Sequence, residues 1–133
     1  MKYLLDTNVV SDYLRGVEPV VKKIQKAKPS DLAISAVTIM ALRYGAARRQ
    51  SAKLTAAVEA FVTGVTVVAF DAEASEQAGL LRAAMESKGI TIALADCQIA
   101  ATALAMGVTL VSNDADLKRV PKLKVQDWRG KKG

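Results

Sequence analysis

The sequence predicts an α/β fold, a three-layer α/β/α sandwich around a mainly parallel sheet, with residues 1–133 forming one domain. Three observations predict it. Short apolar runs of strand length alternate with helical segments along the whole chain. The first run, Tyr3-Leu4-Leu5, is apolar throughout, as suits a strand buried on both faces in the middle of a parallel sheet. The connections are short, and with right-handed crossovers they place helices on both faces.

Taken in order, Tyr3–Leu5 is followed by a short helix over Val9–Leu14, stopped near Gly16 and Pro19. From Pro19 to Ala27 an amphipathic helix sets Val20, Val21 and Ile24 against a lysine face. Pro29-Ser30-Asp31 punctuates it, and Leu32-Ala33-Ile34 is a second strand. Ser35 suits the N-cap of a helix through Val37, Ile39, Met40, Leu42 and Tyr44, which Gly45 bends or begins to end. Ser51 caps the next helix, with Leu54, Val58 and Phe61 at near-helical spacing and Gly64 closing it. Val65–Phe70 is the most β-branched stretch and reads as a strand. Asp71 then caps a helix carrying Ala74, Ala78, Leu81 and Met85 and stopping near Gly89. A further helix runs from about Leu94 to Gly107, the strand Val108–Val111 follows, and Ala115–Arg119 forms a brief helix. Leu123–Val125 is a last edge strand, Trp128 packs against it, and residues 129–133 are expected to be a flexible tail.

Composition narrows the chemistry. Half of the residues are hydrophobic and the chain is long enough to bury roughly two-thirds of its unfolded surface, so no staples are needed. A single cysteine, Cys97, excludes an intrachain disulfide and a thiolate zinc cage. No leader and no apolar run of membrane-spanning length is found, so a cytoplasmic protein with no membrane partner is expected. The chain has no histidine, the commonest general base and metal ligand. Any hydrolytic chemistry must rest on carboxylates, which favour hard cations such as Mg²⁺ or Mn²⁺. Against 13 acids stand 19 Lys and Arg, a net charge of +6 that suits a polyanionic partner.

Three acids fall where this fold can bring them together. Asp6 ends the first strand, Asp114 follows Val108–Val111 at the same sheet edge, and Asp96 sits in the first turn of its helix. Asp116 can back up Asp114. Each has a plainer role open to it, as a turn residue, an N-cap, or a charge favoured by the helix dipole. Crowded carboxylates raise one another's pKa, so a cluster of them implies a neutralising cation. Two such ions can clamp the attacking and leaving oxygens of a phosphodiester displacement.

The motifs Leu5-Asp6-Thr7-Asn8, Ile34 to Ala46, Ala95-Asp96-Cys97-Gln98-Ile99-Ala100-Ala101 and Thr109-Leu110-Val111-Ser112-Asn113-Asp114 stand in order along nearly the whole chain. Together with Arg119-Val120-Pro121 and Val125-Gln126-Asp127-Trp128, they resemble a PIN-domain ribonuclease of the VapC toxin type. The resemblance implies a Mg²⁺- or Mn²⁺-dependent endoribonuclease acting on transfer, ribosomal or messenger RNA. It further implies a homodimer inhibited by a VapB-type antitoxin, whose tail crosses the helices near the site and brings an arginine into it. Carried across, Asp6, Asp96 and Asp114 are metal-binding acids, assisted by Asp116, with Asn8, Ser112 and Asn113 supporting the pocket.

One position departs from the pattern. Where the family's second motif carries a glutamate, this chain has Ala41, and no other acid lies in that helix. Catalysis is therefore expected to be impaired, whether by deliberate substitution or by drift. Lys22, Lys23, Lys26 and Arg43, Arg48, Arg49 form two basic clusters that could grip RNA phosphates. Val9, Val10, Tyr13, Leu14 and Tyr44 could line an antitoxin groove, although at least two of them suit the core. A catalytically inactive antitoxin- or RNA-binding module is the first rival reading. An aspartate-based phosphohydrolase is the second, disfavoured because Asn8 rather than a second aspartate stands two residues after Asp6.

Overall fold

The computed structural model describes residues 1–129. Among them, five strands form one sheet in the order β3-β2-β1-β4-β5, with every neighbouring pair parallel. The strands are β1 Tyr3–Leu5, β2 Leu32–Ser35, β3 Thr66–Val68, β4 Thr109–Val111 and β5 Val125–Gln126. The helices are α1 Thr7–Leu14, α2 Glu18–Lys26, α3 Ala36–Arg48, α4 Ala52–Thr63, α5 Ala72–Ser87 and α6 Leu94–Met106.

β1 takes the central place that its apolar run predicts. Consecutive strand residues point to opposite faces, and the core divides accordingly. Leu4, Ala33 and Leu110 pack with Leu81 and Met85 of α5 and with Cys97, Ile99, Ala100 and Ala103 of α6. Leu5, Ile34 and Val111 pack on the other face with Val9 and Val10 of α1, Val20 and Ile24 of α2, Leu42 of α3 and Val58 of α4. These are the two outer layers of the sandwich.

Local caps follow the side-chain chemistry. Ser35 Oγ accepts from the Val37 amide, Ser51 Oγ from Leu54, and the Asp71 carboxylate from Ala74. Each satisfies an amide the first helical turn leaves without a partner. Gly107 ends α6 in the left-handed region, at φ 69°. Trp128 is buried, edge-on to Tyr3 at 5.1 Å, and its indole N–H donates to Gln126.

Several boundaries differ from expectation. Gly45 does not end its helix, because α3 runs on to Arg48. Only Thr66–Val68 of the β-branched stretch pairs, as a largely exposed edge strand. The last strand is shifted to Val125–Gln126, and the brief helix at Ala115–Arg119 is 3-10. Of the expected tail, Arg129 is tied down by an ion pair to Asp12, while residues 130–133 lie outside the described residues.

Candidate functional site

After β1 the chain builds outward on one side of the sheet, and β4 returns on the other, so β1 and β4 flank the point where the strand order reverses. Ligands of open α/β sheets bind beyond the carboxyl ends of strands at such a point. The ladder runs one residue past β1, the Asp6 amide donating to the Val111 carbonyl at 2.9 Å. That step fixes Asp6 beside the segment Ser112-Asn113-Asp114.

Asp6 is 1% exposed, and both of its carboxylate oxygens are engaged. The Thr7 amide donates to Oδ1 at 2.8 Å, making Asp6 the N-cap of α1, and the Ser112 hydroxyl donates to Oδ2 at 2.8 Å. Ser112 Oγ in turn accepts from the Asp114 amide at 3.0 Å, so one buried hydroxyl ties the two acids together. The Thr7 hydroxyl bonds Thr38 at 3.1 Å, which docks α3 on the start of α1. Asp114 caps the 3-10 turn by accepting from the Asp116 amide at 2.9 Å. Asp116 thus supports Asp114 through its backbone, while its exposed carboxylate lies 4.0 Å from Arg119.

Asp96, in the first turn of α6, completes the cluster. Its carboxyl is pushed up to about 6, first by burial, then by the charges of Asp6 and Asp114, by a hydrogen bond to Asp114 and by Asp116. Burial also holds Asp6 above the ordinary carboxylate range, with the Asp114 charge adding to it, against the opposing bonds from Ser112 and Thr7. Among the described residues no ion pair involves Asp6, Asp96 or Asp114. Mutually repelling carboxylates without histidine or thiolate are the donor chemistry of a hard divalent cation. Among the described residues no three such side chains already stand close enough to cage an ion. Mg²⁺ does not require that, since it commonly takes one or two carboxylates and completes its shell with water and substrate phosphate.

A groove of about 540 Å³ adjoins the cluster, lined by Thr7 and Asn8 of α1, Ala41 and Gly45 of α3, Leu54 and Val58 of α4, and Asn113. Ala41 stands one turn beyond Thr38 on α3 and faces this space with a methyl group only. Asn8 and Asn113 line the groove rather than bonding the acids. Leu14 lines it too, whereas Val9 and Val10 are buried in the core and Tyr13 packs on Phe61. Tyr44 is exposed.

The basic residues are divided. Lys23 and Lys26 border a depression with Lys2 and Lys28 at the amino ends of the strands, away from the acids, and Lys22 lies 3.9 Å from Glu18 on the same helix. Arg43 makes two hydrogen bonds to Glu59, at 2.7 and 2.8 Å. Arg48 is exposed, and Arg49 lines the groove. One charged residue escaped sequence reasoning altogether. Asp12 is 1% exposed, accepts from Arg15 and from two nitrogens of Arg129, and is held below the usual carboxylate range chiefly by the Arg129 hydrogen bond. The available signal was an acid placed between the buried Val9-Val10 pair and Tyr13-Leu14 on α1; its partner stands 117 residues away.

Comparison with known proteins gives the family and the fold. The chain is 32% identical over 130 residues to the tRNA(fMet)-specific endonuclease VapC of Shigella flexneri, covering 96% of this chain and 98% of that one. Its fold superposes on DNA-bound VapBC from Salmonella typhimurium with a TM-score of 0.88 at 29% identity, covering 96% and 98% of the two chains. VapBC2 from Rickettsia felis, bound to a DNA fragment of its promoter, gives 0.87 at 28% identity over 96% and 99%. Residues 3–123 match the PIN domain, and the chain belongs to that family.

Proposed function

We propose that this chain is the toxin of a toxin–antitoxin pair, a divalent-metal-dependent endoribonuclease in which Ala41 has weakened catalysis. The observation that carries the reading is the junction of Asp6 and Asp114 through the buried Ser112 hydroxyl, with Asp96 beside it, inside a chain of net charge +6. VapC relatives named as ribonucleases support the reaction class. VapBC complexes among the structural neighbours support a VapB-type antitoxin as partner.

Asp6, Asp96 and Asp114 would hold Mg²⁺ or Mn²⁺, with Asp116 adding negative charge from the rim. When bound, the ion supplies positive charge for the scissile phosphate and favours ionisation of the attacking water. The protein's own part is positional. Ser112 and the Thr7 amide fix the Asp6 oxygens, and the Asp116 amide fixes an oxygen of Asp114. Asn8 and Asn113 offer amides to the strand entering the groove. Met40 and Tyr44, exposed four residues apart on α3, offer an apolar face for a second copy of the chain. No described helix is long and apolar enough to cross a membrane.

A glutamate at position 41 would face the groove beside Thr7 and Asn8, so its absence removes a carboxylate from the edge of the site. The same observation favours a second reading, a binding module without catalysis. RNA cleavage in Mn²⁺ by this chain and by Ala41→Glu separates them, with Asp114→Asn as the inactive control. Restoring the acid is expected to raise the rate by at least about 10–100-fold. Equal rates in the parent and Ala41→Glu would remove the impairment, and no cleavage by either leaves the module.

A further inference from the structure

The groove beside the acids has a wall that the cleavage chemistry does not use. Arg15, Arg49 and Arg129 line it together with the buried Asp12, three guanidiniums against one carboxylate. Asp12 holds two of them: Oδ1 accepts from Arg15 Nη2 and from Arg129 Nη2 at 3.0 Å, and Oδ2 from Arg129 Nε at 2.8 Å. Each guanidinium carries five N–H donors in a rigid fork. Asp12 engages two on Arg129 and one on Arg15, which leaves three and four for other acceptors. Side-chain exposures of 63% for Arg15 and 43% for Arg129 open those donors to the groove, while Asp12 at 1% is a fixed anchor.

We infer that this wall is a phosphate-binding subsite for the RNA strand flanking the cleaved bond, with Arg15, Arg129 and Arg49 as the ligands and Asp12 as the residue that sets the direction of two of the forks. The inference rests on the ribonuclease reading for the identity of the strand. Guanidinium forks match phosphate oxygens in pairs, which a lysine ammonium does not. The wall is continuous with the acids, because Thr7 and Asn113, the chain neighbours of Asp6 and Asp114, line the same groove. A polynucleotide with one phosphate at the acids therefore lays its next phosphates along this wall. Leu14, Leu42, Leu54 and Val58 give the groove an apolar floor, and among the described residues no aromatic side chain lines it. Grip through the backbone, rather than stacking of bases, fits that lining. Arg129 brings the chain's last described residue onto α1, so the subsite is assembled from both ends of the sequence.

The test is RNA affinity as a function of salt, measured on the chain as it stands with Ca²⁺ in the buffer, using bulk transfer RNA and a labelled oligouridylate as probes. Arg15→Gln and Arg49→Gln are the informative variants, because both side chains sit at the surface and each is checked by its melting temperature. Each lost phosphate contact is expected to flatten the slope of log affinity against log salt by about 0.7, and to weaken binding roughly eight-fold near 0.05 M salt. Arg15→Lys is expected to keep most of the slope yet bind more weakly than the parent, since it keeps the charge and loses the fork. Parent-like slopes and affinities in both glutamine variants, or no binding of either probe by the parent, overturn the subsite. So does a loss confined to binding of an acidic peptide with RNA affinity unchanged. Cleavage is read separately on the Ala41→Glu background. A chain that cuts no RNA there but still loses affinity on Arg15→Gln retires the nuclease reading and keeps the subsite.

Discussion

Ser112 is the smallest part of the site with the widest reach, because one hydroxyl serves two acids. It donates to the buried Oδ2 of Asp6 and accepts the Asp114 amide. Ser112→Ala leaves a buried carboxylate oxygen without its donor, which costs about 1–3 kcal/mol. The sign for Asp6 follows from the same bond: the hydroxyl lowers its pKa, so the variant raises it further. A chemical-denaturation series at neutral pH is expected to show that loss, together with weaker Mn²⁺ binding by calorimetry. A variant as stable as the parent would mean that another donor already serves Oδ2. Sequence made the positions of Asp6 and Asp114 legible, since Asp6 directly follows one apolar strand, Asp114 stands three residues past the end of another, and strand ends are where α/β sheets gather ligands. Asp12 was not legible. Its partners lie 3 and 117 residues away, and only a folded chain brings the distant one near.

At the scale of elements, local chemistry carried the sequence reading furthest where a side chain closes its own helix turn. Ser35, Ser51 and Asp71 cap the helices they precede, and the contacts span two or three residues. It carried least at β3, where β-branched content reports a preference for strand but not how many residues find a partner; only three pair, against β2. Glycine shows the same division. Gly45 reads as a bend or the start of an end, yet α3 passes through it because Leu42 and Ala46 on either side are buried and outweigh a propensity cost of about 1 kcal/mol. Two other glycines give opposite expectations for one substitution. Gly79 lies inside α5 with open space where a Cβ would stand, so Gly79→Ala is expected to stabilise by about 0.5–1 kcal/mol. Gly107 has equal space but sits at φ 69°, so Gly107→Ala is expected to destabilise by about 1 kcal/mol. Thermal melts of the two variants should move in opposite directions, and a shared sign would contradict the helix boundaries given above.

The whole molecule sets a cluster of acids within a chain of net charge +6, and this governs how its stability responds to pH and to divalent ions. Asp96, pushed up to about 6 in the fold, has its charged form disfavoured there relative to the unfolded chain. Its contribution to stability is therefore complete below the ordinary carboxylate pKa of about 3.9 and is lost as pH rises through about 6. Discounted for the partial exposure of Asp96, that loss is on the order of 1–2 kcal/mol. Asp96→Asn cannot ionise, so without metal it should be more stable than the parent at pH 7.5 and no more stable at pH 4. A divalent ion that binds only the folded chain acts in the opposite sense, adding about 2.7 kcal/mol at a hundred-fold excess over its Kd. Because ligand carboxylates must shed their protons to bind, the rise in melting temperature with Mn²⁺ should be larger at pH 7.5 than at pH 5. It should shrink in Asp96→Asn at both. Melting curves with chelator and with Mn²⁺ at the two pH values make the comparison. A rise independent of pH, or equal in the parent and Asp96→Asn, would place the ion away from these acids and detach the basic groove from any metal-assisted cut.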